Sequence, residues 1–253
     1  MSDLPALFRS LLFVPANDQR KVAKALASGA DAVILDLEDA VAESEKAAAR
    51  ARVTPVLRET RHGRCYVRVN SLDTRHALND VLSVVGPGLD GIMLPKVESA
   101  EALQTTDWLL RQLEQERSLP AGRVDLLPLI ETTRGIVDLE RLAGATSRVR
   151  RLAFGAADFA ADLGIDWATG EGELMHARRQ LVMHSRAAGL EQPIDAPSLE
   201  VRDLEQVREA ALRARAAGFQ GKLCIHPAQV AVCREVFAPT PPELAWARRV
   251  VAA

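Results

Sequence analysis

Two acidic residues follow two successive apolar runs in the middle of the chain. Glu131 comes directly after the run at 126–130, and Asp158 comes shortly after the run at 152–154. Short apolar runs of this kind are typical of strands buried on both faces of a parallel sheet. If that sheet closes into a barrel, both strands end at one mouth, so we expect the two carboxylates to lie close together there. Two carboxylates with open positions beside them suit a hard divalent cation such as Mg²⁺.

Charged residues also follow most of the other predicted strands, which would place them at the same mouth. In chain order they are Asp36, Glu38, Asp39, Arg68, Lys96, Asp195 and His226. Any one of these residues could be an ordinary loop residue or helix cap, and the same alternative applies to Glu131 and Asp158. The convergence of so many strand ends is what favours a functional site.

Three of these residues have two interpretations each. Arg68 lies on an otherwise buried strand, so it could form a structural ion pair with Asp36 or Glu38. It could also act as a bidentate clamp on a substrate carboxylate or enolate, a task to which arginine is better suited than lysine. Lys96 could be a Schiff-base nucleophile, although neutralising Asp36 or a neighbouring acid is the favoured interpretation. We expect His226 to form hydrogen bonds at a His-Pro turn rather than act as a base or ligand.

The scaffold that would bring these strand ends together is a (β/α)₈ TIM barrel. Short apolar runs alternate with helical patterns along all 253 residues, and eight strand–helix units can be counted. The predicted strands are 10–14, 32–37, 65–69, 91–94, 126–130, 151–154, 193–196 and 221–225. The predicted helices are 21–27, 43–58, 75–85, 99–117, 135–142, 174–188, 199–217, 227–237 and 243–251. The glycine-bearing segment 155–173 is predicted to be a long loop, a common carrier of function at the top of a barrel.

The composition indicates one globular domain and excludes several classes of protein. Residues 1–238 are predicted to form the catalytic barrel, and residues 239–253 a short helical extension set off by prolines. The chain is 48% hydrophobic with 32 basic against 34 acidic residues, which is not the charge pattern of a nucleic-acid-binding protein. Three cysteines fit neither a disulfide framework nor a zinc site. The amino terminus has no membrane span or secretion signal, so a cytoplasmic protein is expected.

Seven segments, in this order, carry a family resemblance that extends over nearly the whole chain. They are RSLLFVPA (9–16), DAVILDLEDAV (31–41), YVRVN (66–70), GIMLPKVES (91–99), LIET (129–132), FGAADFAADLG (154–164) and GKLCIHPAQ (221–229). Jointly they resemble the citrate lyase β-subunit-like, or HpcH/HpaI aldolase, family. The resemblance implies a (β/α)₈ lyase that uses Mg²⁺ to cleave or form a carbon–carbon bond between an acyl-CoA and a 2-keto acid. Citryl, malyl and citramalyl thioesters are the implied substrate types.

The resemblance also implies roles for individual residues. By position, Glu131 and Asp158 match the family's metal ligands, with Glu131 also beside the substrate, and Arg68 matches its keto-acid clamp. Asp36 lies on the acidic motif of the second strand, near the metal. It is the candidate for orienting a water molecule or acting as the base, with Glu38 as the alternative.

The thioester end of the site has fewer signals. Arg20 and Lys24 on the first helix are candidates for contacts to the CoA phosphates by similarity and charge, or else solvated helix residues. Many relatives continue past the last helix into a segment that covers a neighbouring subunit's site. Since this chain ends at Ala253, the sequence is either clipped or lacks that cover.

Assembly and alternative functions follow from the same reasoning. The resemblance implies a homo-oligomer, a trimer or hexamer. The alternatives to a thioester lyase are a metal-dependent aldolase for free hydroxy-keto acids, a Schiff-base aldolase acting through Lys96, a subunit of a larger lyase assembly, and a metabolite-binding barrel without turnover.

Overall fold

Eight parallel strands pair in chain order and close into a barrel, with β8 returning to pair with β1. The computed structural model describes residues 7–59, 63–166, 172 and 174–252. The strands are β1 (Ser10–Pro15), β2 (Ala32–Asp36), β3 (Arg64–Arg68), β4 (Gly91–Leu94), β5 (Asp125–Ile130), β6 (Ala153–Phe154), β7 (Ile194–Asp195) and β8 (Gly221–Cys224). The predicted (β/α)₈ barrel is therefore confirmed, and each strand lies within two residues of its predicted position.

Alternation along the strands separates two apolar layers. One set of side chains packs around the barrel axis and includes Leu11, Ile34, Met93 and Leu223. Their neighbours in sequence face outward and form a larger core beneath the helices. Because successive side chains of a strand point to opposite faces, the position two residues beyond the last inward apolar side chain points into the carboxyl-terminal mouth.

The barrel interior is filled by side chains. Tyr66 of β3 lies over Gly91 of β4, where a Cβ atom would stand 2.2 Å from the Tyr66 ring. Glycine is required at this position because any side chain would displace the ring. The Tyr66 hydroxyl donates to Oδ2 of Asp125 at 2.6 Å, which ties β3 to β5 at the amino-terminal end of the barrel.

Helices cover the outside of the barrel. They are α1 (Gln19–Leu26), α2 (Lys46–Leu57), α3 (Ala77–Val84), α4 (Ala100–Glu116), α5 (Thr133–Val137), α6 (Leu139–Ala143), α7 (Ala156–Leu163), α8 (Met175–Ala187), α9 (Leu204–Ala217), α10 (Pro227–Val236) and α11 (Pro241–Val251), and a short 3₁₀ helix, Glu43–Glu45, precedes α2. Ser99 caps α4, as predicted, by accepting the backbone N–H of Ala102 at 3.3 Å. In the described ranges, every helix is too short or too polar to cross a membrane.

Two predicted elements are wrong. The predicted loop 155–173 contains α7, an alanine-rich helix that ends at Gly164 in the left-handed conformation (φ 72°). The flanking glycines suggested a loop, but Gly164 acts as the helix C-cap. The predicted helix 135–142 is two short helices, because α5 ends and α6 begins at Asp138.

Candidate active site

A cavity of about 460 Å³ opens at the carboxyl ends of the strands. Its charged lining residues are Asp36, Asp39, Arg68, Glu131 and Asp158. They come from β2 and the loop after it, from β3, from the residue after β5, and from the first turn of α7. The cavity therefore brings together the acid pair and the arginine that the sequence singles out.

Glu131 is a deeply buried acid of the cavity, with 2% of its surface exposed. Its Oε1 accepts the backbone N–H of Lys96 at 2.9 Å. The other face of the carboxyl group lies against Gly155, where a Cβ atom would stand 2.5 Å from Oε2. Burial raises the pKa of Glu131 well above its ordinary value, and the negative charges of Glu38 and Asp158 raise it further. The chain thus buries an acid where the other acids disfavour its ionised form.

Asp158 reaches the same cavity from α7. It lies in the first turn of the helix, where backbone N–H groups favour a negative charge, and its side chain is half-buried. The prediction that Glu131 and Asp158 share one mouth agrees with this geometry. The sequence alone placed Asp158 in a loop, whereas the structure fixes it on a helix.

Arg68 is held by the acids of β2 and of the loop after it. Its Nε and Nη2 donate to the two carboxylate oxygens of Asp36 at 2.8 and 2.6 Å. Its Nη1 donates to Asp39 at 3.2 Å and makes an ion-pair contact with Glu38 at 2.9 Å. The guanidinium also lies 4.9 Å from the centre of the Phe13 ring. The structural ion pair considered from the sequence is present, and it fixes the guanidinium at the wall of the cavity.

Asp36 also accepts the backbone N–H groups of Glu38 at 2.8 Å and Ala40 at 3.2 Å. With the two bonds from Arg68, its carboxylate accepts four hydrogen bonds and is 2% exposed. The geometry favours Asp36 as the residue that orients Arg68, and its predicted role as a base stays a prediction.

Lys96 pairs with Glu38, with 2.5 Å between Nζ and Oε1. Partial burial by itself would lower the pKa of Lys96, but the hydrogen bond and charge of Glu38 outweigh it and raise that pKa. The ammonium therefore stays charged, which disfavours the free amine that a Schiff base requires. Burial raises the pKa of Glu38, although Arg68 and Lys96 oppose the shift.

Two residues predicted at the mouth do not line the cavity. Asp195 points outward from β7 and pairs with Lys222 at 2.5 Å and Arg178 at 2.8 Å. The prediction was wrong because Ile194 is the inward residue of that strand, so the next residue must face the helices. His226 caps α10, its Nδ1 accepting the backbone N–H of Ala228 at 3.2 Å, in agreement with the His-Pro turn interpretation.

A second cavity, of about 590 Å³, adjoins the first, and Pro15 and Ala40 line both. Arg20 lines it together with Lys21 and Arg52, whereas Lys24 lies one turn further along α1, exposed to solvent. Arg52 was missed from the sequence because it belongs to α2. Only the folded chain brings it here, where its Nη1 donates to the Asn17 carbonyl at 2.7 Å.

The acid pair has the chemistry of a partial metal site. Among the described residues, no three or more histidine, cysteine, aspartate or glutamate side chains are arranged to hold a metal ion. A divalent ion held by Glu131 and Asp158 would therefore take its other ligands from water and substrate, as Mg²⁺ commonly does. Burial and, after it, the charges of Glu38 and Asp158 raise the pKa of Glu131, and such a cation would offset those negative charges. The residues present fit a hard, oxygen-preferring ion.

Comparison with known proteins gives concordant matches. A family model described as HpcH/HpaI aldolase/citrate lyase matches residues 9–227. A citrate lyase subunit beta-like protein of Deinococcus radiodurans is 38% identical, over 99% of this chain and 87% of the relative. An L-malyl-CoA/beta-methylmalyl-CoA lyase of Cereibacter sphaeroides is 35% identical, over 97% of this chain and 83% of the relative. The citrate lyase beta subunit of Mycobacterium tuberculosis, solved with oxaloacetate and magnesium, has a TM-score of 0.77 at 34% identity, covering 92% of this chain and 98% of that one.

Proposed function

This chain belongs to the HpcH/HpaI aldolase/citrate lyase family, and we propose that it is a Mg²⁺-dependent lyase that cleaves a 3-hydroxyacyl-CoA thioester into an acyl-CoA and a 2-keto acid. The observation that carries the proposal is the cavity in which Glu131, Asp158 and Arg68 meet. The relative that acts on malyl-CoA and the similar structure that holds magnesium and oxaloacetate support the same chemistry.

The reaction needs negative charge to be stabilised first on the deprotonated hydroxyl group and then on the thioester enolate. The hydroxyl group of the substrate loses its proton, the bond between the hydroxyl carbon and the thioester α-carbon breaks, and the hydroxyl carbon becomes the keto group. The electron pair remains on the thioester fragment as an enolate, which a proton then quenches. Mg²⁺ bound by Glu131 and Asp158 would act as a Lewis acid on the substrate oxygens.

Arg68 supplies the fixed positive charge of this scheme. Asp36 holds the guanidinium in a bidentate pair, so the guanidinium is oriented before substrate arrives. We assign Arg68 to the carboxylate of the keto acid and Asp36 to positioning Arg68. Lys96 is charged and paired with Glu38. We therefore assign it no covalent intermediate.

The second cavity is where we place the CoA phosphates. Arg20, Lys21 and Arg52 lie beside it, and phosphates favour such clustered cations. Arg20→Ala and Arg52→Ala are each expected to raise the KM for a thioester by roughly 3- to 10-fold, in line with exposed charge contacts, without changing keto-acid binding. Lys24→Ala, one turn away, should have the smaller effect.

Assay of a thioester panel tests the proposal. Purified protein is incubated with citryl-, malyl- and citramalyl-type thioesters and Mg²⁺, and released keto acid is measured. The expected result is release that EDTA abolishes and Mg²⁺ restores, with no borohydride-trapped adduct at Lys96. Release that persists in EDTA would contradict the metal assignment. Cleavage of free hydroxy-keto acids alone would favour an aldolase. Separately, a mass measurement of the same sample tests the expected trimer or hexamer.

A further inference from the structure

The backbone segment that holds Arg68 is itself fixed from outside the cavity. Residues 37–42 connect β2 to the 3₁₀ helix and carry Glu38 and Asp39, whose carboxylates contact the Arg68 guanidinium. Glu38 also pairs with Lys96. We call residues 37–42 the acidic segment. The orientation of two cations of the site therefore depends on where this short segment lies.

Two side chains donate to backbone carbonyl groups of the acidic segment. Nζ of Lys46 donates to the carbonyls of Leu37 and Glu38, at 3.0 Å in each case. Nδ2 of Asn70, two residues beyond Arg68, donates to the same Leu37 carbonyl at 3.0 Å. Neither Lys46 nor Asn70 lines the active-site cavity. Direct contact with a substrate in that cavity therefore does not account for their arrangement.

The stability of α2 does not account for the position of Lys46 either. Lys46 is the first residue of α2, and the first turn of this helix contains no acidic residue. The amino-terminal end of a helix carries a partial positive charge, so an ammonium group there is generally unfavourable. The preceding acid, Glu45, accepts a hydrogen bond from Asn17 at 2.7 Å. The Lys46 ammonium instead gains its hydrogen bonds from the carbonyls of the acidic segment.

Asn70 is fixed in turn by Asp80 of α3. Oδ2 of Asp80 accepts the backbone N–H of Asn70 at 2.9 Å and its Nδ2 at 2.6 Å, and Oδ1 accepts Nε of Arg50 at 2.7 Å. Asp80 is completely buried, and Asn70 is 2% exposed. Arg50 lies one turn after Lys46 on the same face of α2. One helix thus supplies a donor to the acidic segment and a second donor to the carboxylate that holds Asn70.

We propose that Lys46 and Asn70 are positioning residues that hold the acidic segment in the arrangement that orients Arg68 before substrate binds. They act through the carbonyls of Leu37 and Glu38 and do not touch the substrate. A donor that is oriented in advance stabilises developing negative charge without reorganisation during the reaction. The catalytic consequence rests on the proposed lyase function, whereas the ordering of the segment does not.

Hydrogen exchange tests the ordering without any need for turnover. Lys46 is half-buried, and Lys46→Met keeps an apolar stem while it removes the donor. Four backbone N–H groups of the acidic segment donate hydrogen bonds, those of Leu37, Glu38, Ala40 and Val41. Their exchange, measured by mass spectrometry, should be roughly 10-fold faster or more in Lys46→Met, with the rest of the chain unchanged. Lys46→Arg keeps the charge and the donors and should exchange like the unsubstituted protein. Unchanged exchange in Lys46→Met, or equal acceleration along the whole chain, would overturn the inference.

Asn70→Ser tests the second donor in the same experiment. Serine is too short to reach the Leu37 carbonyl, so exchange in the acidic segment should again be faster. Because Asn70 is buried, this variant is compared at a temperature where its circular dichroism is that of the folded protein. If it does not fold, the Lys46 variants still decide the inference.

The catalytic consequence is measured with the thioester that the unsubstituted protein cleaves best. Lys46→Met should lower kcat/KM by roughly 10-fold, and Lys46→Arg should restore it, while the melting temperatures of the two variants stay close. Faster exchange with unchanged kcat/KM would overturn the positioning role in catalysis. An unsubstituted protein that cleaves no thioester would refute the lyase function, and the exchange result would still decide whether Lys46 holds the segment.

Discussion

The two ends of the barrel both bury carboxylates, but they balance the charge differently. At the amino-terminal end, Arg148 donates to Asp107 at 2.6 Å and to both oxygens of Glu114 at 2.7 and 2.9 Å. At the carboxyl-terminal mouth, Glu131 accepts the backbone N–H of Lys96 and lies beside other negative charges. Burial raises the pKa of acids at both ends. Hydrogen bonds and the charge of Arg148 reverse that effect for Asp107 and Glu114, whereas neighbouring acids reinforce it for Glu131.

This difference separates structural from functional charge. A buried acid that is already paired with a cation of the protein becomes costly to bury when that partner is removed, and it has little capacity left for a ligand. A buried acid crowded by other acids destabilises the fold and is relieved when a cation binds. Perturbed acids of the second kind cluster at functional sites. The comparison predicts that removing a charge at the mouth lowers catalysis more than stability. Removing a charge at the amino-terminal end should lower stability more than catalysis.

The largest expected effect is on catalysis at the mouth. Glu131→Gln and Asp158→Asn should each lower kcat/KM by about 1,000-fold or more, because each removes a proposed ligand of the metal that would stabilise the reacting oxygens. The melting temperature measured without Mg²⁺ should stay level or rise, since a neutral amide relieves charge crowding. Full Mg²⁺-dependent activity in either variant would refute the metal assignment.

The matching substitution at the other end should affect stability instead. Arg148→Ala leaves two buried carboxylates without their main partner, so the free energy of unfolding is expected to fall by about 3–5 kcal/mol. Urea denaturation measures this change. Turnover per folded molecule should remain near that of the unsubstituted protein, and a loss below about 1 kcal/mol would show that the cluster is not a stabilising unit.

The pH dependence of stability should come from the balanced end. The folded-state pKa values of Asp107 and Glu114 lie below their ordinary values of 3.8 and 4.5. Their contribution is therefore fully present above about pH 5 and is lost as the pH falls through 4 toward the folded-state values. Urea midpoints between pH 7 and pH 3.5 should fall less steeply for Glu114→Gln than for the unsubstituted protein. An unchanged slope would contradict the assignment.

The smallest expected effect is at the exposed edge of the same cluster. Arg111 pairs with Asp107 at 2.7 Å, but its side chain is 62% exposed and Asp107 keeps Arg148 and Thr146 as partners. Arg111→Ala should change the free energy of unfolding by less than about 0.5 kcal/mol. A change as large as that of Arg148→Ala would show that burial does not separate the two arginines.

Much of the fold and the centre of the site could be predicted from the sequence. Apolar runs locate the strands because strands buried on both faces need continuous apolar sequence, and parallel strands all end at one mouth. That rule singled out Glu131, Asp158 and Arg68, and all three line the cavity. Helix α7 was missed because its flanking glycines are equally typical of a loop and of a helix end.

What the sequence by itself determined was the barrel and the strand ends that carry its chemistry. The tertiary structure decided which charges face the mouth and which partners they have there. Asp36 and Asp195 both lie at strand ends, yet one points inward and the other outward, because the direction depends on the register of each strand within a closed barrel. Whether a buried acid is neutralised, like Glu114 by Arg148, or left crowded, like Glu131, depends on contacts between segments far apart in the chain.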